Sequence, residues 1–488
     1  MLSDDVLLDI FDSYRNIPVR SYKFGWPWHL LVHVCQRWRQ VIFTSPQRLS
    51  LQLTCTFGTP VRKNLGIWPP LPVLVDCGSY SGSPLTPNEE DNVIAALEHH
   101  NRVCRVNIYL TSPQLGRVVA AMQEPYPVLR YLSVGLRGGN ARALPTGFLG
   151  GCAPGLQVVT LSGIAYPALP SLLLSASHLV TLSLEYIPPT GFISLQTLVV
   201  SLAALPRLKH FTLEYQSTTP SPDLTPPPLA ARIDLPSLTS FKFQGTGEYL
   251  ESLVVRIDSP QLDWIVITYL DRPDNFQIYQ LPKFISRSVG RHLSSFKHAE
   301  VALYKDRELT AFDMSRSPCH SFSDLNFAGD PGMRLGDLSA SFFRLSPLAQ
   351  VLSQFSAALS NVVHLKLMIR PVPRLGLSVD STSQHGWLSY DTWTDDIEWQ
   401  PLLRQFIAVE TLYVTRDLAE RIASALEYSV SEETEAADAL PSLRLICLAG
   451  QPASSIENFV TAHQLSGRPL SVIDELDFGI RLYSYGSE

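Results

Sequence analysis

"LVTLSL", residues 179–184, decides the fold, because the same phrase keeps returning along the chain. Its pattern is L-x-x-L-x-L, with a branched or aromatic residue accepted at each L. Clear copies are "LRYLSV" (129–134), "LQVVTL" (156–161), "LKHFTL" (208–213) and "LTSFKF" (238–243). Looser ones are "LDWIVI" (262–267), "LSSFKH" (293–298), "FSDLNF" (322–327), "VVHLKL" (362–367), "VETLYV" (409–414) and "LRLICL" (443–448). The fourth and sixth positions alternate with polar neighbours, the period of a strand with one buried face. The first position sits in the turn entering the strand and closes the core from the side. Pro206, Pro236, Pro260 and Pro441 stand just ahead of their copies. There they fix the corner and end the preceding helix.

Between copies lie apolar stretches with helical spacing. "GFISLQTLVVSLAALPRL" offers Leu195, Leu198, Val199, Leu202 and Leu205, and "SPLAQVLSQFSAALSNV" offers Leu348, Val351, Leu352, Phe355 and Leu359. Each set forms one stripe of an amphipathic helix. The predicted fold class is therefore α/β: strand, turn, helix, turn, stacked as a solenoid with parallel strands on the concave side and helices outside. Ordinary strands and helices of a non-repeating α/β domain are the other reading of these segments. Early intervals of roughly 23–30 residues fall in the leucine-rich-repeat range, and the body resembles the leucine-rich repeats of ligand-recognising proteins. The Asn or Cys of the full repeat is mostly absent, with Gly138 and Ala165 near its place, so an irregular solenoid is expected.

The expected layout is a helical head over 1–48, a connecting segment and solenoid start over 49–100, and the repeat body over 101–488. Insertions fall near 217–232, which is proline-rich, near 370–403, which is polar and aromatic, and near 429–441, which is acidic. Long insertions in solenoids often border a binding face, and tolerated surface growth accounts for them equally well.

Hydrophobic residues make up 45% of the 488 and charged residues 17%, enough apolar material for a large core. With 38 basic against 45 acidic residues and no basic block, nucleic acid is not an expected partner. Seven scattered cysteines without a C-x-x-C suit a reducing compartment. The start "MLSDDVLLDI" has acids where a presequence carries bases. No apolar run approaches the roughly 20 residues needed to cross a bilayer. A soluble intracellular protein, cytoplasmic or nuclear, with no membrane partner is expected.

The head differs from the body. In "LSDDVLLDIFDSY" Ser3 caps a helix and Asp4 and Asp5 suit its first turn. Val6, Leu7, Ile10, Phe11 and Tyr14 are predicted to share one face. After a spacer containing Pro18 and "GWPW", "LVHVCQRWRQVIF" (31–43) is predicted as a second helix. Leu31, Val34, Cys35, Trp38, Val41 and Ile42 fall on its apolar face. A unit this small hardly stabilises a core alone, so its apolar surface needs cover from the solenoid or from another protein.

These two stretches resemble the F-box, whose pattern runs Leu-Pro-x-Glu-(Val/Leu)-Leu-x-x-Ile-Phe and later Val-Cys-(Arg/Lys)-x-Trp. Ser3 stands where that pattern has Pro, and the spacer from Arg15 to Trp28 is longer than the common form. The segment 45–78 is similar to the one that follows the motif in many F-box-like proteins of mushroom-forming fungi, whose later halves carry degenerate leucine-rich repeats. The resemblance implies docking on a Skp-type adaptor and, through it, on the cullin scaffold of a ubiquitin ligase. It places Leu2, Val6, Leu7, Ile10 and Phe11 on the first adaptor-binding helix, and Val34, Cys35, Trp38 and Ile42 on the later one. The repeat body would hold a target protein of unknown identity. The alternative is a leucine-rich-repeat scaffold with no ligase role, its head helices only capping the open end of the solenoid.

No constellation for chemistry emerges, so no enzyme, cofactor or metal is expected. "GTPVRKN" lacks the P-loop spacing, and there is no G-x-S-x-G elbow and no H-E-x-x-H. His99 and His100 are adjacent, hence badly placed to share a metal. Asp395, Asp396 and Glu398 lack the spaced ligands and Gly of a calcium loop and read as a solvated acidic stretch.

Overall fold

In the computed structural model the leucine phrase builds turn and strand in one recurring geometry. The structure describes residues 2–15, 28–46, 48–49, 51–66, 70–77, 85–137, 142–218, 232–270, 279–288, 296–304, 309–315, 332–337, 349, 352–370, 399–431, 439–449, 460–461 and 470–474. The N–H groups of Leu208, Leu238, Leu262 and Leu443 donate to the carbonyls three residues back. Pro206, Pro236, Pro260 and Pro441 thus occupy the second position of a closed turn, where proline's fixed φ belongs. Two further prolines, Pro127 and Pro154, do the same ahead of Leu129 and Leu156. The first, fourth and sixth residues then turn into the core, as Leu179, Leu182 and Leu184 do, and all three are buried. The carbonyl of the second residue accepts two N–H groups from the next copy: Arg130 from Gln157 and Val158, Gln157 from Val180 and Thr181. This backbone lattice ties successive turns together without the missing Asn side chain.

Internal contacts divide the chain into two units, Met1–Gln216 and Ser217–Glu488. The boundary meets the proline-rich stretch, of which 219–231 lie outside the described residues. In the first unit α1 (Asp4–Arg15), α2 (Trp28–Leu31) and α3 (Gln36–Thr44) form the head. Then come β1 (Leu53–Cys55), α4 (Val61–Asn64), β2 (Val73–Cys77), α5 (Pro87–Leu97), β3 (Val103–Leu110), α6 (Ser112–Ala120) and β4 (Tyr131–Leu136). After the short β5 (Arg142–Ala143) follow β6 (Val158–Ser162), the short β7 (Ile164–Ala165), α7 (Leu169–Ser175), β8 (Thr181–Ile187), α8 (Leu195–Ala203) and β9 (His210–Tyr215). The ladder runs β1-β2-β3-β4-β6-β8-β9 with every pair parallel. Its first three strands carry no leucine phrase. Leu195, Leu198, Val199, Leu202 and Leu205 are all buried, as their spacing predicts. Ser194 caps α8 by accepting the Thr197 N–H at 3.2 Å.

The second unit contains β10 (Ile233–Asp234), β11 (Ser240–Gly245), α9 (Gly247–Val254), β12 (Ile257–Asp258), β13 (Trp264–Tyr269) and α10 (Gln280–Ser288). They are followed by β14 (His298–Tyr304), β15 (Leu309–Ser315), β16 (Gly332–Asp337), β17 (His364–Arg370), β18 (Thr411–Thr415), β19 (Leu445–Ala449) and β20 (Ser471–Asp474). Glu251 on α9 locks the next helix in place. Its carboxylate accepts the N–H groups of Tyr279, Gln280 and Leu281 at 2.9, 2.6 and 3.0 Å, supplying acceptors for the otherwise orphaned start of α10.

Two expectations need correction. The ladder is not parallel throughout: in this unit β15 lies antiparallel between β14 and β16. Only residues 305–308 join β14 to β15, too few for the crossover that parallel strands require. The phrase "FSDLNF" lies outside the described residues, and β15 and β16 carry no copy of it. The 370–403 insertion is regular at both ends. Arg370 closes β17, and "WQPLL" forms a helix, Trp399–Leu403, whose Trp399, Leu402 and Leu403 are buried at i, i+3 and i+4. Residues 371–398, with Asp395, Asp396 and Glu398, lie outside the described set. The acidic stretch begins as the last turn of the helix Ala419–Ser431. No helix among the described residues is long and apolar enough to cross a membrane.

Candidate functional site

The head has two chemically different sides. Ser3 starts α1 as expected, accepting the Val6 N–H on its hydroxyl at 3.4 Å and the Leu7 N–H on its carbonyl at 3.1 Å. The inward stripe is Leu7, Leu8 and Phe11, packed with Leu31, Val32, Val41, Ile42, Leu49, Leu51, Leu53 and Leu71. Phe11 meets Trp38 edge-on, with ring centroids 4.9 Å apart. Leu53 belongs to β1, so the head shares its core with the first rung of the ladder. The predicted face of α1 is thereby corrected: Leu8 turns inward, while Val6 and Ile10 turn out. Leu2, Val6 and Ile10 form a second apolar stripe at i, i+4 and i+8, and one helix can bury only one stripe against the ladder. The side chain of Tyr14 lies outside the described set.

The second predicted helix is two helices. Cys35, extended at φ −159° and ψ 168°, separates α2 from α3 and caps the latter, its Sγ accepting the Trp38 N–H at 3.4 Å. Val32 and Val34 flank the break, and β-branched residues resist helix. Arg39 Nε donates to the Val32 carbonyl at 3.0 Å, satisfying the acceptor that the break frees. The break turns Val34 and Cys35 outward. Of the motif residues, Leu2, Val6, Ile10, Val34 and Cys35 are exposed, Trp38 is half-buried, and Leu7, Phe11 and Ile42 belong to the chain's own core. Leu30 is also open; together Leu2, Val6, Ile10, Leu30 and Val34 are between 43% and 58% exposed. Arg37 pairs with Asp4 at 2.7 Å, and Arg48 with Asp5 and Asp9 at 3.2 and 2.7 Å. Such exposed pairs orient α1 on its neighbours more than they stabilise it.

The second candidate surface is the strand face of the first unit that points away from the helices. On β3 Asn107 donates to Asp76 at 2.9 Å, and the Arg105 guanidinium lies 4.2 Å from the ring centroid of Tyr131. Tyr109 crosses to β4 and bonds to Ser133; burial pushes its phenol pKa up, against that hydrogen bond. The crossing requires Gly135, where an added Cβ would lie 2.2 Å from Tyr109 Cε1. Ser183 donates to Glu185 at 2.8 Å. Just beyond, the register of β8 on β9 slips, and Tyr186 takes φ 50° with its side chain exposed. Thr181 and Lys242 are half-buried on their strands, whereas Arg130 and Lys209, exposed, precede theirs by one residue. In the second unit the register sets Asp313 beside Arg334 and Glu300 beside Lys366.

Cys35, Cys55, Cys77, Cys104, Cys152 and Cys447 are free thiols. Burial pushes the Cys55 thiol up to about 11 and Cys77 higher still, which suits packing better than reactivity. His100 packs edge-on to Tyr126. Among the described residues no three His, Cys, Asp or Glu side chains are placed to share a metal ion.

No protein-family model matches this chain, and no curated protein matches it. Among solved structures it is similar to the leucine-rich-repeat-containing protein LegL7 from Legionella pneumophila. The identity is 14% and the TM-score 0.27, over 86% of this chain and 99% of that one. The fold stated above rests instead on this chain's own register and turns: a mixed α/β ladder of mainly parallel strands, consistent with a leucine-rich-repeat type of architecture.

Proposed function

We propose that the chain is a substrate-receptor subunit of a Skp–cullin–F-box type ubiquitin ligase. The exposed residues Leu2, Val6, Ile10, Val34 and Cys35, with Leu30, dock the adaptor. The buried Leu7, Phe11 and Ile42, with Trp38, hold them in position rather than touching it. The observation that carries this reading is the apolar surface left open on the head while its other side is fully packed. Open apolar surface of this kind marks an interaction site. The open strand face of the ladder holds the target. The chain itself does no chemistry: tethering raises the effective concentration of the target's lysines at the charged ubiquitin carrier, replacing a bimolecular search. A second reading is favoured by the core shared with Leu53: the head only caps a binding scaffold.

Co-expression with a Skp-type adaptor separates the two. Val6→Asp with Ile10→Asp alters exposed positions and is expected to leave stability within about 0.5 kcal/mol. The same double change is expected to abolish co-purification of the adaptor. Failure of the unaltered chain to retain the adaptor favours the scaffold.

A further inference from the structure

Among the described arginines of the first unit, several have partners that Arg105 lacks. Arg37, Arg48, Arg62 and Arg117 reach carboxylates, and Arg39 and Arg102 donate to backbone carbonyls. Arg105 is half-buried on the open strand face, its Nε shut off from solvent without a hydrogen-bond partner. Its guanidinium rests on Tyr131, and among the described residues no carboxylate lies within ion-pairing distance of it. Partial desolvation without a counter-charge is costly, and an arriving anion that fits the planar fork supplies what is missing.

We propose that Arg105, backed by the Tyr131 ring, anchors a carboxylate side chain, Asp or Glu, of the target polypeptide. This rests on the reading of the open strand face as the target-binding surface. A carboxylate fits better than a phosphate on charge grounds. Asp76 sits on the adjacent strand, paired in register with Asn107, two residues on from Arg105, and Glu185, whose charge acts on Tyr109, lies on the same face. One guanidinium neutralises one negative charge; a dianion would leave a second facing these acids.

The test pans the full chain, Arg105→Gln, Arg105→Lys and a control, Arg62→Gln on α4, against a displayed library of short random peptides. Peptides enriched by the unaltered chain and by Arg62→Gln are expected to carry Asp or Glu at one fixed position. Synthetic copies are expected to bind Arg105→Gln at least about tenfold more weakly. Arg105→Lys, which keeps the charge and loses the fork, falls between and serves if the Gln form folds poorly. Replacing the peptide's acid by its amide should weaken binding to the unaltered chain and add nothing further in Arg105→Gln. Acid-bearing peptides whose affinity ignores Arg105, or tighter binding with phosphoserine at the acid position, would overturn the anchor while leaving the strand face in use. No enrichment by the unaltered chain would overturn the strand-face reading and the anchor with it.

Discussion

Phe11→Ala is expected to cost about 3–5 kcal/mol, the range for deleting a large buried aromatic, and to loosen two structures at once. Phe11 is 1% exposed and lies in the cluster that joins α1 to Leu53 and Leu71. Removing its ring leaves a cavity under Trp38 and takes packing away from β1, a strand of only three residues that pairs on one side with β2. A chain of two units need not unfold in one step, so the loss is read locally. Backbone hydrogen exchange at Leu53–Cys55 is expected to speed up by about a hundredfold to a few thousandfold, the equivalent of that free energy. Phe11→Leu should retain most of the protection. Unchanged exchange at β1 would show that the head does not share the ladder's core.

Gly135→Ala is expected to destabilise the first unit by about 1–3 kcal/mol, the cost of forcing a methyl into filled space. The new carbon would stand 2.2 Å from Tyr109 Cε1, so the ring must leave. Leaving breaks the hydrogen bond to Ser133, a buried residue. Tyr109→Ala makes room, so the double variant should melt no lower than Tyr109→Ala alone, a coupling read from a double-mutant cycle. Additive losses would mean that Gly135 serves some need other than the crossing ring.

What could be read from the sequence follows from the range of the interactions. Leu132, Leu182, Phe211 and Leu412 announce their strands because a two-residue period and the turn ahead of it are local signals. β1 is too short to show a period, and β15 carries one without the leucine turn, so neither stood out. On α1 two apolar stripes compete, and only contact with Leu53 decides between Leu8 and Val6. The helix break at Cys35 hides because thiols are outside the usual capping set. The Arg105–Tyr131 stack and the Tyr109–Gly135 crossing join residues 26 apart in sequence, on strands paired Arg105 to Tyr131 and Tyr109 to Gly135. Such pairs exist only once the register is known.

Cys35 offers a direct probe of the docking claim, because its exposed thiol sits next to Val34 at the start of α3. The measurement is the alkylation rate of Cys35 in the purified full chain, followed by peptide mass spectrometry, with exposed Cys152 as internal reference. With a Skp-type adaptor at ten times its dissociation constant, the Cys35 rate is expected to fall about tenfold while Cys152 is unchanged. An unchanged Cys35 rate at saturating adaptor, or equal slowing of both thiols, would contradict docking on the head.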